Sequence, residues 1–142
     1  MQQRSECEQD SHGSLVVTVM EARDLKQDSR YGKIDSYVAL TIDSSNQTLR
    51  SRVVNDSPNP EFMDTLIFQG ALENLYHSNL NVALFNKMNS SHPLGLVSIA
   101  LNKLTIGREV TCWFDLSPVP EESELPSGGA AAATMLATIS SP

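Results

Sequence analysis

Cysteine is scarce in this chain. Only Cys7 and Cys112 occur in 142 residues, too few for a disulfide framework, and the expected state of both is a free thiol in a reducing compartment. Long hydrophobic runs are also missing. The longest, residues 130–139, falls short of the roughly 20 residues that a spanning helix needs, and no charged-then-apolar signal pattern opens the sequence. The expected setting is therefore cytoplasmic. Positive charge is in deficit as well. The formal charge is −7, and most of it sits at the two ends, on Glu6, Glu8 and Asp10 and on Glu121, Glu122 and Glu124. Such a chain builds no broad positive field for nucleic acid. Catalytic signatures are absent too. His12, His77 and His92 stand far apart, and there is no His-Glu-x-x-His, Cys-x-x-Cys or glycine-rich phosphate loop. Glu109 and Asp115 flank Trp113 on a strand-like segment without forming a glycosidase pair. Trp113 and Phe114 are expected to pack at the core and edge of the fold. No catalytic residue and no small-molecule substrate is expected.

What remains is a series of short β patterns. With 40% hydrophobic and 19% charged residues, the chain has an ordinary globular composition and enough length for one core. Residues 1–13 are polar and read as a disordered leader. Leu15, Val17 and Val19 then alternate with Val16, Thr18 and Met20, so both faces are apolar, as in a central strand. Further strands are expected at 36–42, 48–54, 62–68, 80–85, 94–100 and 110–116, with brief helical turns near 72–77 and 102–106. Turn clusters at 43–46 and 56–60 separate them. The expected architecture is an all-β, eight-stranded antiparallel sandwich, with seven of its strands in residues 14–116. A flexible loop at 117–129 follows, rich in Pro, Glu, Ser and Gly. Residues 130–142 then supply a closing strand at 133–139 and a tail. Alanine is a poor strand former, so a frayed tail is the competing reading there.

The order of these motifs resembles the C2 domain family. The residues that carry the resemblance begin with 13–25, Gly-Ser-Leu-Val-Val-Thr-Val-Met-Glu-Ala-Arg-Asp-Leu. Asp28, Gly32 and Asp35-Ser-Tyr-Val follow, then Arg52-Val-Val-Asn-Asp-Ser-Pro-Asn-Pro60 with Phe62, Leu94-Gly95, and Trp113-Phe-Asp-Leu116. A first strand at Leu15 and a last one near Leu136 resemble the family's type II circular order. The Arg52–Pro60 run is similar to modules of extended-synaptotagmin-like tethers.

The resemblance implies a calcium site between two end loops, held by several aspartates. Calcium takes ~6–8 oxygen ligands. Asp28 and Asp35 match the first loop, but the third reads Asn86, Lys87 and Met88 where the family pattern expects further carboxylates. The expectation is an incomplete metal site, with no cofactor and calcium disfavoured. Asp28 and Asp35 have the alternative role of capping loop amides. The resemblance also places a basic, phosphoinositide-binding surface at Arg50 and Arg52, with Arg30, Lys33 and Lys87 at loop tips and Tyr31 and Met88 as apolar tips. Paired guanidinium forks suit phosphate oxygens, although exposed strand arginines also serve simply as a solvated face. The implied function is a noncatalytic docking module for an anionic membrane surface or a protein partner, with calcium dependence lost or weakened. A protein–protein module without lipid binding, and a calcium-dependent phospholipid binder, are the alternatives.

Overall fold

The computed structural model describes residues 12–25, 34–87, 93–117 and 131–140, the last stretch as backbone only. Eight strands build the described fold: β1 (His12–Arg23), β2 (Ser36–Ile42), β3 (Thr48–Arg50), β4 (Glu61–Ala71), β5 (Asn79–Asn86), β6 (Gly95–Ala100), β7 (Val110–Leu116) and β8 (Ala131–Ser140). One helical turn, α1 (Leu72–Tyr76), follows β4, and a 3-10 turn, Leu101–Lys103, follows β6. The strands form two antiparallel four-stranded sheets, ordered β4-β1-β8-β7 and β3-β2-β5-β6. Among the described residues, no helix is long and apolar enough to cross a membrane.

Alternation in the sequence decides which side chains fill the space between the sheets. Leu15, Val17 and Val19 of β1 are fully buried, opposite Val38, Leu40 and Ile42 of β2 and Leu80, Val82 and Leu84 of β5. Phe62 and Phe68 close the core from β4. As expected for a strand apolar on both faces, β1 is central, paired with β4 on one side and β8 on the other. The 133–139 segment is a strand and not a frayed tail. Within β8 it pairs with both β1 and β7, so the first and last strands are neighbours, the circular order that the resemblance implies.

Two interruptions have local causes. The β1–β4 register passes from Val19↔Asp64 to Glu21↔Glu61, which sets Phe62 and Met63 against Met20. At this bulge Met63 takes a left-handed φ of 47° and projects into solvent, while Phe62 is buried. The second interruption shortens β3. The expected strand at 48–54 stops at Arg50 because the Ser51 side chain competes with the ladder. Its Oγ accepts from the Val38 N–H at 2.9 Å and donates to the Arg52 carbonyl at 2.9 Å. The Arg52 N–H then donates to an Asp64 carboxylate oxygen at 2.8 Å, and Val54 returns to bridge Ser36. Trp113 also differs from its expected packing role. It lies on the edge strand β7, 37% exposed, with the Arg23 guanidinium 3.9 Å from its ring centroid. Phe114 packs against the core in its place.

Ser36 carries a cost. Its side chain is fully buried at the start of β2, yet the Oγ has no hydrogen-bond partner among the described residues. Removing an orphaned hydroxyl removes its desolvation penalty. Ser36→Ala is therefore expected to raise stability by about 1 kcal/mol, read as a higher urea midpoint at unchanged slope.

Candidate functional site

One end of the sandwich is organised by the Asn-Asp-Ser-Pro-Asn-Pro run. Prolines at 58 and 60 supply no N–H, so this segment works through its carbonyls and short polar side chains. The Ala22 N–H donates to the Pro60 carbonyl and the Leu25 N–H to that of Pro58. The Asp24 N–H donates to Asn59 Oδ1 at 3.0 Å, while Asp24 itself sits at a left-handed φ of 63°. On the other flank, the Ser57 N–H donates to the Ile34 carbonyl at 3.1 Å. The segment therefore clamps both ends of the first loop, residues 24–25 on one side and 34–35 on the other.

Asp35 belongs to that clamp. Its Oδ1 accepts from the Asp56 N–H at 2.8 Å, and its carbonyl accepts from the Lys87 N–H at 2.6 Å. One oxygen of its carboxylate thus caps a loop amide. Asn86 is buried at the end of β5, opposite Ser36, and exposed Lys87 follows it directly. Among the described residues, no group of three or more His, Cys, Asp or Glu gathers where a metal ion would sit. Asp28, Arg30, Tyr31, Lys33 and Met88 lie outside the described residues, as does Cys7, while Cys112 is a free, exposed thiol.

The second candidate surface is the outer face of the β3-β2-β5-β6 sheet. Side chains alternate along β2, so Val38, Leu40 and Ile42 build the core while Tyr37, Ala39 and Thr41 face out. The cross-strand register stacks outward residues into rows. Arg50, Ala39, Ala83 and Leu96 form one row across all four strands. Thr48, Thr41, Asn81 and Ser98 form the next. On the other side, Tyr37 and Phe85 are paired, with rings stacked 5.3 Å apart at 17°. The two alanines are too short to fill their row, and a trough of about 710 Å³ results. The polar row is held in place: Asn81 Nδ2 donates to Asp43 Oδ1 at 3.0 Å, and the Ser98 hydroxyl donates to Asn81 Oδ1 at 2.9 Å.

Arg50 lines this trough, exposed and with no hydrogen-bond or ionic partner among the described residues. Arg52 does not continue a strand with it. The Ser51 interruption ends β3, so the alternation expected to align the two arginines does not reach position 52. Neither Asp64, which caps the Arg52 amide, nor the alanine row is anticipated by the sequence patterns above. The alanine row was readable as odd-numbered positions of two strands, whereas the Asp64 contact had no local signal.

Residues 13–116 match the family described as C2 domain. Synaptotagmin-1 of Caenorhabditis elegans is 30% identical over 115 residues, 79% of this chain and 26% of the relative. Synaptotagmin-4 of Arabidopsis thaliana is 31% identical over 105 residues, 73% of this chain and 18% of the relative. The chain thus spans under a third of the length of these relatives. Among solved structures, a C2 domain of plant Extended Synaptotagmin 1 superposes with a TM-score of 0.74 at 14% identity, covering 92% of this chain and 95% of that one. At that identity the likeness speaks to the fold.

Proposed function

The chain is a member of the C2 domain family, and from that premise we propose that it serves a larger protein as a noncatalytic docking module. The surface it meets is an anionic phospholipid membrane, with calcium dependence lost or weakened. The observation that carries this reading is the contrast between its two candidate surfaces. At the loop end, the described Asp35 is engaged in capping the Asp56 amide, and position 86 offers a buried amide where a further anionic oxygen is needed. Two carboxylates and an amide are a poor exchange for the hydration shell of a divalent cation. On the sheet face, by contrast, Arg50 stands exposed and without an ionic partner among the described residues, and Arg52 is exposed two residues further on, beyond the end of β3.

Cations near an anionic leaflet contribute about 1 kcal/mol each, so this contact is weak and salt-sensitive. It suits a module that adds to other anchors in the same protein.

Sedimentation with phosphatidylserine-containing vesicles tests the reading. Binding is expected with and without calcium, and it should weaken steeply between low and molar salt as the Debye length shrinks to about 3 Å. Replacing both Arg50 and Arg52 with Gln should lower the partition coefficient by roughly 30-fold, the combined effect of two such contacts. Pelleting that appears only with calcium contradicts the proposal. Failure to pellet under any condition favours a protein partner instead.

A further inference from the structure

We propose that the trough across the outer face of the β3-β2-β5-β6 sheet is a binding site for one single-chain, monoanionic amphiphile of medium length, such as a fatty acid. This goes beyond bilayer docking, because the occupant is a single molecule taken from solution. Its shape argues for a linear ligand. The row of Arg50, Ala39, Ala83 and Leu96 crosses three inter-strand gaps, a run of roughly 14 Å at about 4.8 Å per gap. Its floor is two methyl groups, one wall is the stacked Tyr37–Phe85 pair, and its volume of about 710 Å³ lies within the range of small-ligand sites, about 300–1,000 Å³. The far end is Leu96, an apolar side chain left 42% exposed.

Charge decides the head group. Among the described lining residues, Arg50 is the one cation, and among the described residues it has no partner to give up. A guanidinium fork matches a carboxylate in two parallel hydrogen bonds. A polyphosphorylated head group fits poorly, since each further negative charge meets neutral Thr, Asn and Ser side chains on the polar wall. The Asp43 carboxylate stands directly behind that wall, on Asn81. The wall's hydroxyl and amide groups are in part committed to one another, so the wall excludes bulk and adds little attraction. One positive end, an apolar floor and an apolar far end together specify an anionic head with one tail.

Calorimetric titration of the full chain with dodecanoate, below its micelle-forming concentration and at low salt, tests the assignment. One-to-one saturable binding is expected. Arg50→Gln should weaken it about tenfold, the usual effect of losing a charge-assisted hydrogen bond, and dodecanol should bind the unmodified protein as weakly as dodecanoate binds that variant. Ala83→Phe should abolish binding by filling the floor. Leu96→Asp, an exposed change that spares the core, should weaken it if the tail reaches that end, which keeps the test decisive where Ala83→Phe fails to fold. Absence of saturable binding overturns the proposal. So does equal affinity for a cationic dodecyl amphiphile, or indifference to both the Ala83 and Leu96 variants. Preference for an amphipathic peptide over dodecanoate also overturns it. Vesicle sedimentation is a separate readout, so a chain that pellets with vesicles but ignores dodecanoate retains the docking function and loses this site.

Discussion

Phe68→Ala should destabilise the sandwich by about 3–5 kcal/mol, whereas Ile67→Ala, one residue away, should change it by less than about 0.5 kcal/mol. Phe68 faces Leu15 across β1 and β4 and is fully buried, while Ile67 faces Val16 and is 47% exposed. Truncating the ring removes its transfer free energy and leaves a cavity that rigid neighbours on two sheets cannot close. Domains of this size are stable by roughly 5–15 kcal/mol in total, so Phe68→Ala removes a large share. Urea unfolding should show a markedly lower midpoint for that variant at unchanged slope, and almost no change for Ile67→Ala. The pair also tests the register itself. Because strand side chains repeat every two residues, a slip of one would exchange the two results. Phe62 and Phe68 are six residues apart on one long strand, so strand alternation alone turns both inward.

Much of this fold was legible because its elements alternate. The buried set of β1, β2 and β5 appears in the sequence as every second residue, and the turn clusters at 43–46 and 56–60 fall between strands. β8 was harder to read. Its alanines carry little strand preference, and pairing on both sides by β1 and β7 overrides that weakness. The shortened β3 was missed for the opposite reason. Residues 51–54 look like strand, but Ser51 Oγ takes over the Val38 amide and Asp64 takes the Arg52 amide. That partner, twelve residues away, leaves no mark in local pattern.

The candidate site shows the same division. Asp35 was identifiable as a loop carboxylate, yet its engagement with the Asp56 amide depends on a segment 21 residues further along. The trough depends on register across four strands. Ala39 and Ala83 are unremarkable singly, and become a floor only because β2 and β5 set them side by side.

The corner of the sandwich beside that trough carries the second large effect. Gly95→Ala should cost about 1–3 kcal/mol, because a Cβ built at Gly95 would meet the Leu116 Cβ at 2.8 Å. Real Cβ atoms do not approach so closely, and Leu116 is buried, so the neighbour has little room to yield. This is a packing demand and not a conformational one. The two sheets meet here: Leu96 and Ser117 exchange backbone hydrogen bonds at 3.0 and 2.8 Å, tying β6 to the end of β7. Gly107 is the control. It takes a left-handed φ of 86° with nothing within 4 Å of an added methyl, so Gly107→Ala should cost only about 1–2 kcal/mol of backbone strain. The two costs overlap in size but differ in consequence. Gly95→Ala pushes β6 away from Ser117, and both Leu96 and Ser117 line the trough. Dodecanoate affinity should therefore fall in Gly95→Ala and stay unchanged in Gly107→Ala at equal fraction folded. Matched affinity in the two variants would separate the sandwich corner from the trough and leave Gly95 with a purely structural role.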